Sequence, residues 1–182
     1  MPIENHRKAI EDSVIKRKAA EYTWIQPADI VVANWVRMKC MYGCPDYDNC
    51  LVCPPKTPAI SKCREFFSEY SEAVLLHYTF QVDDPDERHE FTKKINAQLI
   101  KLEREVFLMG FPKAFIFYVD PCNYCDDCSE EMKVCTNRKI ARPSLEGFGV
   151  DVYSTVRNAS MPIHVLTDYK ESMNRYGLLL VK

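Results

Sequence analysis

Four cysteines fall within fourteen residues of "KCMYGCPDYDNCLVCPPKTP": Cys40, Cys44, Cys50 and Cys53. A second stretch, "DPCNYCDDCSEEMKVC", supplies Cys122, Cys125, Cys128 and Cys135, and Cys63 brings the total to nine. An odd count with two-residue spacings is poorly suited to stapling distant elements. In a reducing compartment, clustered thiols hold metal or do redox chemistry rather than form structural disulfides.

The second run reads C-x2-C-x2-C, with Cys135 after six more residues. A curling loop of that spacing turns three sulfurs inward and points backbone N–H groups at inorganic sulfide, as in the ferredoxin run C-x2-C-x2-C-x3-C-P. Here Thr136 follows the fourth cysteine where ferredoxins have proline. Cys135 therefore either completes this cluster or serves the other one. Structural zinc sites usually take two C-x-x-C pairs about 15–20 residues apart. Three overlapping thiolates on one loop suit a cluster better.

The first run has spacings of three, five and two residues. It does not match C-x3-C-x2-C, so nothing supports a radical S-adenosylmethionine enzyme. Gly43 lets the backbone bend near a cluster, and Pro45, Pro54 and Pro55 stiffen the loop. Cys63 falls on the apolar face of the following helix, where a free cysteine behaves as a small hydrophobe.

"WVRMKCMYGCPDY…CPP" followed by "CNYCDDC…C…ARPSLEGFGVDV" resembles a family of predicted metal-binding proteins, a domain of unknown function found chiefly in anaerobic bacteria and archaea. The resemblance runs from about Trp35 to the C-terminus. It implies cluster ligands at Cys40, Cys44, Cys53, Cys122, Cys125, Cys128 and Cys135. In that family's pattern the position of Cys50 is often another residue. Without Cys50, the first centre would have three cysteine ligands and an iron open to a small molecule. The resemblance carries no established reaction.

Other chemistry is sparse. Arg138 and Arg142 follow the second run and read as a solvated face, with stabilisation of a reduced cluster or docking of an acidic redox partner as the alternative. Tyr42, Tyr47 and Tyr124 lie between cysteines, where they shield a cluster from water or simply pack. His6, His77, His89 and His164 are scattered, and no G-x-S-x-G elbow or P-loop occurs. The glycines of "ARPSLEGFGVDV" lack the G-x-G-x-x-G order and a preceding strand, which excludes a dinucleotide site.

The elements that must position these thiols follow from periodicity. A charged helix spans about residues 3–22, with Ile3, Ile10 and Val14 on one face. "DIVVANWVRM" reads as a short strand entering the first cysteine run. Thr57 and Pro58 start a helix with Ile60, Cys63, Phe67 and Tyr70 on its apolar face. "AVLLHYTF" (73–80) reads as a strand. The clearest helix follows, capped by Asp84 with Pro85 first and Glu87 at capping-box spacing. Its stripe is Phe91, Ile95, Leu99, Leu102 and Val106, and Gly110 ends it. Strands are expected at 113–119, "IHVLTDY" and "GLLLVK", and a weak helix at 145–158.

Together these predict an α+β fold with a single mixed β-sheet covered by helices and two cysteine-rich cluster-binding loops. We expect one domain over 1–182, with an N-terminal helix at 1–23, a first cysteine loop at 36–58 and a second at 120–143. Apolar content of 47% and aromatic content of 12% fit a globular chain. A net charge of −2 gives no reason to expect nucleic acid or an anionic membrane as partner. No apolar run approaches a membrane span, and the charged N-terminus lacks a secretory signal. A cytoplasmic location is therefore expected.

The functional expectation is an oxygen-sensitive iron–sulfur protein of anaerobic metabolism. All eight clustered cysteines, Cys40, Cys44, Cys50, Cys53, Cys122, Cys125, Cys128 and Cys135, are candidate ligands of two [4Fe–4S] clusters, or of one cluster plus a zinc or other metal site. One-electron transfer to a redox protein partner, or an accessory role activating another enzyme, fits better than a stand-alone enzyme. The alternatives are an enzyme using an open-iron, three-cysteine cluster on a small substrate, and a zinc-stabilised interaction module. Homo-oligomerisation stays open.

Overall fold

The computed structural model describes residues 3–84, 87–168 and 170–182, with side chains from residue 6 onward. Helices α1 (Ile3–Lys16), α2 (Asn34–Gly43), α3 (Ile60–Ser68), α4 (Arg88–Leu108) and α5 (Val152–Asn158) accompany strands β1 (Glu21–Ile25), β2 (Ala73–Phe80), β3 (Phe115–Phe117) and β4 (Met173–Leu180). The strands form one sheet in the order β1-β2-β4-β3 with antiparallel ladders. A parallel bridge, Tyr118 with Ser144, extends its β3 side. The architecture is α+β, a single sheet covered by helices.

Both sheet faces are buried, which explains why β2 is a continuous apolar run rather than an alternating one. Val74, Leu76 and Tyr78 turn to one face, beneath Ile10 and Val14 of α1 and Leu99, Leu102 and Val106 of α4. Ala73 and Leu75 turn to the other, with Phe67 of α3 and Val156 of α5. Each fully buried aliphatic side chain contributes roughly 1.5–3 kcal/mol on transfer from water. The long central pair β2–β4 is thus anchored in both clusters.

Several expected boundaries move. Helix α1 ends at Lys16 rather than near residue 22, because Arg17 and Lys18 N–H groups bond back only three residues, and Lys18 takes φ +57°. Tyr22 to Ile25 then pair with β2, where aromatic and β-branched side chains pack best. The expected strand in "DIVVANWVRM" reduces to one bridge, Val32 with Val150. From Asn34 the chain is helical, so Cys40 sits on α2 and Cys44 is its C-cap. The first cysteine run is therefore part helix.

Helix α3 begins after Ala59 and not at Thr57. Helix α4 buries Leu99, Leu102 and Val106, but Phe91 is exposed and stacks on Phe80. Residues Thr92 and Asn96 are buried in its place. Gly110, at φ +99°, closes the helix as expected. The proposed first residue of that helix, Pro85, lies outside the described residues, as do the side chain of Ile3 and Tyr169. Residues 163–168 of "IHVLTDY" form no strand. Over 145–158 the chain makes a 3-10 turn, Glu146–Phe148, and then α5, with Gly149 at φ +74° between them.

Candidate metal centre

The first run is held by its neighbours rather than by its own regular structure. Arg37 of α2 donates to Thr57 Oγ1 at 2.8 Å, to Pro58 O at 3.0 Å and to Gly147 O at 3.5 Å. It thereby ties the helix carrying Cys40 to the far end of the loop and to the 3-10 turn. Within the loop, Lys56 Nζ donates to Asp48 O at 2.6 Å, and the Asp48 N–H donates to Pro54 O at 3.0 Å. The Pro54–Pro55 peptide is cis.

Strand β3 delivers the chain into the second run, which α4 fastens through polar groups on its buried face. Asn96 accepts from Val119 N–H at 3.2 Å and donates to Asp120 O at 3.5 Å. Asn123 donates to His89 O at 2.8 Å and to Thr92 Oγ1 at 3.3 Å. The far end of the run is pinned by Arg142, which makes two bonds to Glu103 at 2.9 and 2.5 Å. Glu103 also accepts the Ile116 N–H at 2.8 Å. Arg142 is therefore a half-buried structural cation, not the solvated one expected. Tyr118 donates to Ile140 O and approaches Tyr124.

The nine thiols are all free, and they sort differently in space than along the chain. Cys40, Cys44 and Cys53 line one cavity of about 270 Å³. Cys50 leaves its own run and joins Cys122, Cys125, Cys128 and Cys135 around a second, tighter cavity of about 30 Å³. Eight clustered cysteines thus divide three and five. Cys63 is fully buried on α3, lines neither cavity, and donates to Pro58 O at 3.4 Å.

Cys50 is the hinge between the groups. It is buried and donates to Cys122 O at 3.7 Å, with the Cys53 and Cys128 thiols as its electrostatic neighbours. Interaction with the Cys53 thiol holds the Cys50 thiol below the usual thiol range and pushes Cys53 up, burial adding to the rise. Burial first, then like-charged neighbours, pushes Cys122 up to about 11, partly offset by the Tyr124 N–H. Burial also raises Cys40, with Cys44 adding to it. Crowding raises the last protons on such thiols, and a bound cation reverses that order by stabilising the thiolates.

Hydrogen bonds to sulfur accompany the second group. Leu51 N–H donates to Cys128 Sγ at 3.4 Å, and Asn137 Nδ2 donates to Cys125 Sγ at 3.1 Å. Such donors tune and orient metal-bound thiolates. Among the described residues, no three His, Cys, Asp or Glu side chains converge tightly enough for one metal ion. A tetrahedral ion with bonds near 2.3 Å needs sulfurs roughly 4 Å apart, whereas these thiols ring cavities.

Tyr47 lines the first cavity and Tyr124 packs at the second run, but Tyr42 is exposed and covers neither. Beside Asp46 of the first run itself, the first cavity has a charged wall that sequence reasoning did not assemble: Arg88, His89 (read as one of four scattered histidines), Asp120, Glu146 and Arg175. They come from the start of α4, the end of β3, the 3-10 turn and β4, so no local spacing signals them. Asp120, immediately before the second run, was the one neighbour a motif could have flagged.

Among the described residues, no helix is long and apolar enough to cross a membrane. No curated protein and no solved structure matches the chain. The model of a predicted metal-binding protein family covers residues 23–181, which take in both cysteine runs. The chain belongs to the predicted metal-binding protein family DUF2284.

Proposed function

We propose that this protein carries two [4Fe–4S] clusters and serves one-electron transfer to a redox partner, or activates another enzyme by the same means, in the cytoplasm of an anaerobic cell. The observation that carries this reading is the division of eight clustered thiols around two separate cavities. Soft sulfur donors without histidine or carboxylate in the second group suit iron–sulfur chemistry. Cys40, Cys44 and Cys53 would hold the first centre. Four of Cys50, Cys122, Cys125, Cys128 and Cys135 would hold the second.

When bound, each cluster would take up and release single electrons at a potential set by burial, charge and N–H···S bonds. The residues' own tasks are plainer. Leu51 N–H and Asn137 orient sulfurs and stabilise negative charge on them. The second loop has one 3-10 turn, Met132–Val134, as its regular structure among the described residues, and its cavity of about 30 Å³ would have to widen around a polyatomic core.

A second reading is favoured by one specific feature. With Cys50 on the other cavity, the first centre is left with three thiols and a roomy, charged void, as an open-iron enzyme acting on a small substrate requires. The rival is a zinc-stabilised interaction module.

Iron and acid-labile sulfide per chain, with visible and electron paramagnetic resonance spectra on protein purified without oxygen, test the proposal. Two cubanes require about eight of each. A folded, colourless protein containing zinc alone refutes it.

A further inference from the structure

We infer that the first cavity is a binding site for a small hydroxy- or amino-carboxylic acid, with Arg88 and Arg175 as the carboxylate-binding groups. The inference deepens the reading of Cys40, Cys44 and Cys53 as a three-thiolate centre, whose open metal position the cavity's remaining space would face, while the arginines themselves need no metal to bind a carboxylate.

The cavity's polar wall is unfinished. Arg88 Nε and Arg175 Nε are buried and have no hydrogen-bond partner. Among the described residues, Arg175's guanidinium donates to Met173 Sδ at 3.9 Å and interacts electrostatically with Glu146. Arg88 Nε and Asp120 Oδ2 form a loose ion pair at 3.6 Å, too long for a hydrogen bond, so neither buried atom has a hydrogen-bond partner. Buried polar groups are nearly always hydrogen-bonded, so an unpartnered Arg175 Nε beside a loosely held Arg88–Asp120 pair around one void points to a missing partner.

Their types specify it. Guanidinium N–H groups are donors only and match a carboxylate. Asp120 Oδ2 is an acceptor and asks for a hydroxyl or ammonium donor. Glu146 borders the same void and offers a second carboxyl to that donor. A ligand carrying both a carboxylate and a neighbouring donor satisfies all of them. The cavity of about 270 Å³ falls just below the roughly 300–1,000 Å³ of drug-sized sites and would also hold the three-thiolate centre, so the space left takes only a ligand of a few heavy atoms.

The arrangement also has a structural logic. Arg88 opens α4, Arg175 lies on the α4 side of β4, and Asp120 leaves β3, so three elements of the rigid sheet layer converge there. Sites built on such elements keep their geometry better than sites on loops.

The test is calorimetric titration of anaerobically purified protein with glycolate, glycine, succinate and inorganic phosphate. Iron is measured on the same samples. Glycolate or glycine should bind at millimolar concentration or tighter, and succinate and phosphate more weakly. Arg175→Gln and, separately, Arg88→Gln should weaken binding by about tenfold to a hundredfold, the loss of a charge-assisted bond. Near-UV circular dichroism must stay unchanged in whichever variant is read. Unaltered affinity in a folded variant, binding led by phosphate or succinate, or no binding to iron-loaded protein overturns the inference and leaves the two-cluster reading standing. Arginine-dependent binding by a folded protein that never takes up iron refutes the two-cluster reading and keeps the carboxylate site.

Discussion

Glu103→Ala probes how the second cysteine run is held. Glu103 is only 12% exposed and Arg142 19%, so their pair is largely desolvated. Removing one partner of a fully buried pair costs about 3–5 kcal/mol, because the other charge is left unpaired. Here the loss is smaller, since Arg142 still donates to Ala141 O at 2.9 Å. Against that, Glu103 also accepts the Ile116 N–H of the edge strand, and an orphaned buried donor costs about 1–3 kcal/mol. The two corrections roughly cancel, giving about 3 kcal/mol, or a fall in Tm of about 6–12 °C for a chain of this size. Glu103→Gln, which keeps volume and one acceptor, should lose about half as much. Thermal unfolding by circular dichroism measures both. Iron per chain should fall in step at the second centre, because residues 135–142 lose their anchor. A shift under about 2 °C, with unchanged iron, would refute the idea that this pair secures the loop.

Cys50→Ser separates the ligand sets: iron should fall by about half if Cys50 completes the second centre and stay constant if Cys135 does, read by iron analysis and electron paramagnetic resonance. Cys63→Ala should leave iron unchanged and lower Tm by a few degrees, since that thiol is a core group; loss of iron would make it a ligand. For pH, burial acts to raise the Glu72 carboxyl but hydrogen bonds from Arg7 and Lys182 outweigh it, so its pKa is lowered on folding. Its stabilising contribution is then full above the unfolded value near 4.3 and lost as pH falls through the lower folded value. Wild type and Glu72→Gln should accordingly differ in Tm at pH 7 and converge below about pH 4, and a gap that widens in acid contradicts the assignment. Gly149→Ala places a Cβ 2.2 Å from Ile60 Cδ1 at φ +74°, and should cost about 1–3 kcal/mol by urea denaturation.

Local pattern carried what depends on neighbours in sequence. The apolar run of β2, the stripe Leu99, Leu102, Val106 with its glycine stop at Gly110, and the two cysteine runs were all legible, because each is decided within a few residues. The burial of Thr92 and Asn96 was not. A polar residue on a helix's apolar face looks like an error until the loop carrying Val119, Asp120 and Asn123 is laid across it. The start of β1 was equally hidden, since Tyr22 to Ile25 gain strand pairing only from β2, some fifty residues away.

The sequence alone determined that the chain carries two tight runs of cysteine, because their number and two-residue spacings are local properties that no packing can alter. Which thiols keep company was decided by tertiary structure. Cys50 lies three residues from Cys53, yet it joins Cys122 and Cys128 because β3 returns the second run against the first. The charged wall of Arg88, Asp120 and Arg175 came from the same folding. Three segments that share no local signal become one site only where an antiparallel sheet brings their ends together.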